Sequence, residues 1–203
     1  VDVEGADDSK FAKFNDILKH ELFKKDRNPG QKLVIFSESV DTVEYLERRS
    51  NRKDVLVISS GNRNKLFQTI QENFDANYKK SARKNDYNII ITTDVLAEGV
   101  NLHRSNIIIN YDTPWNSTKL MQRIGRVNRI GSEGKNIYNY VFYPSRQGNQ
   151  IIKLNQIALS KIQTFHSTFG EDNQIYSQEE IIDRNLEKLF TEGMKAEEGE
   201  FNE

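Results

Sequence analysis

Apolar residues along this chain fall into two spacings that take turns. Phe11, Phe14, Leu18 and Leu22 recur every three or four residues through Ser9 to Lys25, which predicts an amphipathic helix with Ser9 placed to cap it. Asn28-Pro29-Gly30 ends that helix. Leu33-Val34-Ile35-Phe36-Ser37 then runs without alternation, as a strand covered on both faces does. Val40, Val43, Tyr45 and Leu46 predict a second helix, and Val55 to Ser59 a second buried strand. Ser60-Gly61-Asn62 reads as a turn into a helix with Leu66, Phe67, Ile70 and Phe74 on one side. Asn88–Thr93, Asn106–Tyr111 and Ile137–Tyr143 predict three more strands.

Short buried strands separated by helices predict an α/β fold, a parallel sheet flanked by helices. Such sheets place ligands at the carboxyl ends of their strands. Those ends are Ser37, Ser59-Ser60, Thr92-Thr93-Asp94 and Tyr111-Asp112, polar or acidic after apolar runs. Beyond Pro144 the spacing is helical only: Leu154, Ala158, Ile162, Phe165 and Phe169 form one stripe, and Ile182, Leu186 and Leu189 another. The expected organisation is an N-terminal helix over 1–30, the sheet domain over 31–148, a helical extension over 149–191 and an acidic, disordered tail over 192–203.

Composition narrows the classes. The chain has 203 residues, 29% of them charged, with a formal net charge of -1 and no cysteine. Disulfides and thiolate metal sites are excluded, and His20, His103 and His166 share no ligand spacing, so no metal site is expected. The longest apolar runs, such as Ile107-Ile108-Ile109, are too short to cross a bilayer, and Val1–Ser9 has no apolar signal core. A cytoplasmic protein without membrane contact is expected. The near-zero net charge conceals a local field: Lys119, Arg123, Arg126 and Arg129 lie in a stretch without acids.

That stretch, Asn116 to Gly131, reads N-S-T-K-L-M-Q-R-I-G-R-V-N-R-I-G. Asn116 or Ser117 is placed to cap a helix just after Pro114-Trp115. Gln122, Arg126 and Arg129 are spaced i, i+4, i+7 and share a face, and Gly125 leaves room for another surface to approach. Paired guanidiniums suit a phosphate chain that is gaining negative charge. A basic, solvated helix is the competing reading.

Three segments together carry a family resemblance. Ile91 to Leu102 (I-T-T-D-V-L-A-E-G-V-N-L) resembles motif V of superfamily-two helicases, and Gln122 to Gly131 resembles motif VI. Lys32 to Leu46 looks like motif IV, and Tyr111-Asp112-Thr113-Pro114-Trp115-Asn116 is similar to the loop preceding motif VI in the Swi/Snf-type branch. The combination resembles prokaryotic Swi/Snf-like enzymes, over about Lys32 to Pro144 and in the right order. It implies a RecA-like fold of P-loop NTPase type, specifically the second lobe of an ATP-dependent helicase or translocase.

The resemblance also implies roles. Arg126 and Arg129 match the motif VI arginines that reach ATP phosphates across the interlobe cleft, and Gln122 a position that couples the lobes. Glu98, Gly99 and Asn101 match residues near the nucleotide and lobe interface, and Asp94 falls in the same segment, where capping the turn at Val95 is an equal alternative. Thr93 matches a nucleic-acid backbone contact, with Ser37, Ser59 and Ser60 as companions. The family often has arginine or alanine where Glu98 stands; the glutamate fits the bacterial branch and argues against a direct phosphate contact there. The eukaryotic branch usually has glutamine where Ser132 stands, so the serine argues against chromatin remodelling. Lys79 to Lys84 is a basic loop that reads better as solvated than as a nucleic-acid contact. Trp115 reads as a core anchor, and nothing in the sequence assigns His103-Arg104.

The sequence contains no G-x-x-x-x-G-K-[ST] and no Asp-Glu pair after a strand. Expected partners are therefore a first RecA-like lobe of the same polypeptide, holding ATP and Mg²⁺, and nucleic acid, with double-stranded DNA the expected form. On its own the chain is expected to hold no cofactor and to be inactive. The alternative from another class is a non-enzymatic RecA-like module that binds protein or nucleic acid.

Overall fold

The computed structural model describes residues 8–112 and 117–142. Within them lie four α-helices and five strands in the order α1 (Ser9–His20), β1 (Leu33–Phe36), α2 (Val40–Ser50), β2 (Val55–Ile58), α3 (Arg63–Phe74), β3 (Ile89–Thr92), β4 (Ile107–Asn110), α4 (Ser117–Val127) and β5 (Tyr138–Val141). The strands form one parallel sheet in the order β2-β3-β1-β4-β5. The α/β parallel sheet expected from the spacing is thus present. The stripes at Leu154–Phe169 and Ile182–Leu189, the acidic tail, Trp115 and Asn116 lie outside the described residues.

The β-branched runs of β3 and β4 suit a pleated surface buried on both sides, and β1, β3 and β4 are buried at every position. One face, with Leu33, Ile35, Ile89, Ile91, Ile107 and Ile109, packs against Phe11, Phe14 and Leu18 of α1 and Val43 and Leu46 of α2. Each such side chain, fully buried, contributes about 1.5–3 kcal/mol. On the opposite face the guanidinium of Arg123 in α4 lies 5.1 Å from the ring of Phe36.

Three local expectations are corrected. Ser9 is the first helical residue rather than the cap. Asp8 caps α1, its Oδ1 accepting from the Phe11 N–H at 2.9 Å. The helix stops at His20, not Lys25, yet Leu22 is still fully buried in the turn that follows. β2 is not buried on both faces: Leu56 and Ile58 are buried while Val55 and Val57 are half-buried, because β2 is the edge strand.

At the amino end of the sheet, Lys32 is fully buried. Its ammonium donates to the Tyr87 carbonyl at 2.7 Å and lies 4.9 Å from the Phe74 ring. Burial, reinforced by the nearby Arg104 charge, pushes its pKa down to about 8. A lysine lowered from about 10.4 carries an extra proton in the unfolded chain between those values, so stability rises with pH across that window. Below about pH 8 both states are charged and the cost of burying the ammonium is complete. Urea unfolding of the native chain is expected to shift to a higher midpoint between pH 8 and 10 relative to Lys32→Met, which lacks this proton. Parallel pH profiles would contradict the assignment.

Candidate functional site

The registers Ile58↔Thr92, Phe36↔Thr92, Phe36↔Asn110 and Asn110↔Val141 bring the carboxyl ends of all five strands level. Segments far apart in sequence therefore emerge side by side: Ser37-Glu38 after β1, Ser59-Ser60 after β2, Thr93-Asp94 after β3 and Asp112 after β4. Helix α4 packs on β4 and on a short 3₁₀ turn, Asp94–Leu96. Its Leu120, Ile124 and Val127 are buried at i, i+4, i+7, which fixes the helix's rotation.

That rotation divides the basic residues of α4 into two groups. Arg123 is fully buried. Its guanidinium donates to Asp94 Oδ1 at 2.8 Å, Asn110 Oδ1 at 2.9 Å and Glu38 Oε1 at 2.6 Å. Lys119 closes the cluster, 3.1 Å from Glu38 Oε2 and 2.7 Å from Asp94 Oδ2. Two cations and two carboxylates thus tie the ends of β1, β3 and β4 to α4. Burial raises the Asp94 pKa, but Lys119 and Arg123 outweigh it and hold the carboxyl below the usual range. Asp94 is therefore the ion-pair anchor of the cluster, and its side chain caps nothing; the backbone of Thr93 begins the turn without a side-chain cap.

Arg126 and Arg129 form the second group. Arg126 is half-buried, its Nε donating to the Gln122 carbonyl at 3.4 Å. Burial, and then the neighbouring Arg129 charge, lower its pKa, against the pull of Glu98. Arg129 is exposed and lies beyond Val127, so the shared helical face expected for Gln122, Arg126 and Arg129 holds only for the first two. Arg129 is held from two sides: its Nη1 donates to Asn101 Oδ1 in the segment 97–102, and its Nε to the Gly125 carbonyl of α4 at 3.2 Å. Among the described residues neither arginine is within ion-pair distance of a carboxylate.

The loop after Leu96 is fitted to this group. Leu102 N–H donates to the Arg126 carbonyl at 2.9 Å, satisfying an acceptor that the end of α4 leaves open. Gln122 Nε2 reaches Glu98 Oε1 at 3.2 Å. Gly99 has φ +73°, and a Cβ there would stand 2.6 Å from the Arg63 guanidinium, which donates to the Glu98 carbonyl at 2.9 Å. Gly125 faces open space, with nothing within 4 Å of an added Cβ. Gln122, Glu98, Gly99, Asn101, Arg126 and Arg129 thus converge on one surface.

The remaining residues divide. Thr93 and Ser59 are half-buried and Ser60 is exposed along the strand ends. Ser37 is fully buried, its hydroxyl donating to Asp112 Oδ2 at 2.5 Å, so it is not available to a nucleic-acid backbone. In the basic loop Arg83 donates to the Tyr78 carbonyl and Lys84 pairs with Glu72 at 2.8 Å, leaving Lys79 and Lys80 exposed. Arg104 is buried and caps the carboxyl end of α3 through the carbonyls of Glu72 and Asn73. Sequence reasoning places Arg123 in a basic stretch but misses its pairing, and misses Glu38 altogether. Among the described residues no cluster of three His, Cys, Asp or Glu could hold a metal, and no helix is long and apolar enough to cross a membrane.

A parallel sheet whose strand ends meet a helix and following turn that together bear Q-R-x-G-R-x-x-R defines a RecA-like helicase lobe of the second kind. Residues 10–131 match the helicase conserved C-terminal domain, and the chain belongs to that family. It is 30% identical over 151 residues to the uncharacterized ATP-dependent helicase YqhH of Bacillus subtilis, covering 74% of this chain and 25% of that protein. It is 29% identical over 139 residues to the ATP-dependent RNA helicase eIF4A of Candida glabrata, covering 68% of this chain and 31% of that protein. The chain therefore spans about a quarter to a third of the relatives' length. Among solved structures it resembles the C-terminal part of the Fun30 ATPase domain (TM-score 0.55, 20% identity, 73% of this chain and 44% of that one). It also resembles the C-terminal domain of the DEAD-box protein Dbp5 (TM-score 0.50, 18% identity, 80% and 79%). At such identities these two structures speak for the fold.

Proposed function

We propose that the chain is the second motor lobe of a Swi/Snf-like, ATP-driven nucleic-acid translocase, and that Arg126 and Arg129 are its arginine fingers. ATP and Mg²⁺ belong to the first RecA-like lobe of the same polypeptide, and this lobe completes the site from across the cleft. The observation that carries the reading is the contrast within α4 and its end. Arg123 and Lys119 are neutralised by carboxylates, whereas Arg126 and Arg129 meet none among the described residues and stand beside the open position of Gly125. Guanidiniums without an ion-pair partner suit an oxyanion supplied by another body. Hydrolysis then opens and closes the lobes on the strand.

Thr93, Ser59 and Ser60 are proposed to grip the phosphate backbone, since small hydroxyls and strand-end N–H groups position a strand without reading its sequence. Double-stranded DNA is the proposed track, on the Swi/Snf-type loop Tyr111 to Asn116. Alone, the chain is expected not to hydrolyse ATP, because catalysis of phosphoryl transfer needs cradle and finger together. The test is ATP turnover by the full-length protein with duplex DNA, single-stranded DNA or RNA. The reading predicts the largest stimulation by duplex DNA. Stimulation by RNA alone would replace the track, and indifference to all three would remove the nucleic-acid half of the proposal.

A further inference from the structure

Arg129 ends a short relay that begins in a residue outside every helicase-like motif. Asp75 follows α3, is 6% exposed, and accepts the Asn77 N–H on Oδ1 at 2.8 Å. Its other oxygen, Oδ2, accepts from Asn101 Nδ2 at 3.0 Å. Asn101 in turn turns its Oδ1 to the Arg129 guanidinium. An ionised carboxylate only accepts, so it fixes which end of the Asn101 amide faces it; the carbonyl must then face Arg129. We propose that Asp75 is a positioning residue that, through Asn101, holds Arg129 in the direction the transition state requires; this rests on the reading of Arg129 as a finger.

The physical need is specific. Arg129 lies past the last residue of α4 and is exposed; the helix holds only its Nε, through the Gly125 carbonyl, and Asn101 takes Nη1 at the far end of the side chain. A finger contributes to rate only if its donors are already aimed when charge develops, since reorganisation at that moment forfeits the gain. Asp75 suits the task because it is anchored at the boundary of α3, its own N–H donating to the Gln71 carbonyl at 3.1 Å. The other groups beside it are His103, buried, with Nδ1 3.7 Å from Asp75 Oδ1, and Asn77 in the turn. His103 is disfavoured as a cation by burial and by the Arg129 and Arg83 charges, which outweigh Asp75. His103 Nδ1 makes no hydrogen bond to the carboxylate, so Oδ1 is left to the Asn77 N–H and Oδ2 to the Asn101 amide.

Asp75→Asn tests the relay, because it keeps an oxygen for the Asn77 N–H while confronting the Asn101 amide with a donor. In the full-length protein the expected result is a roughly tenfold fall in nucleic-acid-stimulated kcat, with KM for ATP and the melting temperature unchanged. Asn101→Ala, at a half-buried position, is expected to cause a similar fall. Asp75→Asn added to Asn101→Ala should cost nothing further, since the link is already cut. A full additional tenfold loss in that background would overturn the relay, as would a kcat within twofold of native in Asp75→Asn, or a loss that only follows a lowered melting temperature. If Arg129→Ala itself turns over normally, the finger reading has failed. If Arg129→Ala is inactive and Asp75→Asn is not, the relay alone has failed.

Discussion

Arg129→Ala in the full-length protein is expected to lower nucleic-acid-stimulated ATP turnover by about three to five decades, equivalent to about 4–7 kcal/mol of barrier. KM for ATP should change little: on the proposed reading ground-state binding of the nucleotide belongs to the first lobe, and removing an interaction made only in the transition state lowers kcat. Arg126→Ala is expected to behave alike. Arg129→Lys should not rescue it: an ammonium is a point charge without the planar fork that meets two phosphate oxygens at once, and it would not reproduce the bond to Asn101. Steady-state kinetics with saturating nucleic acid decides the matter. Turnover within a few-fold of native in Arg129→Ala would contradict the finger assignment.

Arg123→Ala is expected to fail differently, by loss of stability. The side chain is fully buried among Asp94, Glu38 and Asn110, and its removal strands two carboxylates that the fold has drawn together. Removing one partner of a buried ion pair costs about 3–5 kcal/mol. The lower end applies here, because both carboxylates keep partial access to water and Lys119 remains beside them. A loss of about 3 kcal/mol is a large part of a typical domain's stability. It should appear in this chain as a lower urea midpoint at pH 7. The effect should be smaller at low pH. Asp94 has a lowered folded pKa, so its contribution is present above the ordinary aspartate value and is lost as pH falls through the folded one. A midpoint unchanged by Arg123→Ala at pH 7 would contradict the role given to the cluster.

The two arginines show how far the sequence is legible. Strands such as Leu33–Phe36 and Ile107–Asn110 are readable because a buried parallel strand is apolar at every position, and the polar residues after them mark the ligand edge. The fate of Arg123 is not readable, because local composition shows a basic stretch without acids. Its partners lie 29 and 85 residues away, and only the level registers of β1, β3 and β4 bring them to it. The burial of Ser37 is hidden for the same reason: it ends a strand, yet Asp112, 75 residues on, takes its hydroxyl. Arg129 obeys helical spacing, but α4 ends two residues earlier, and the end of its side chain is taken by Asn101, 28 residues back, a contact that periodicity does not contain. The alternation in β2 follows from sheet order, which spacing along the chain does not contain.

The central claim is that the guanidiniums at 126 and 129 reach a nucleotide carried by another lobe. A structure of the full-length protein with nucleic acid and ADP–aluminium fluoride, a stand-in for the phosphoryl group in transfer, tests it directly. Both side chains are predicted within about 3 Å of the fluoride or phosphate oxygens, the length of a charge-assisted hydrogen bond. Two arginines that stay bonded within their own lobe, with solvent or other residues filling the place beside the fluoride, would contradict it.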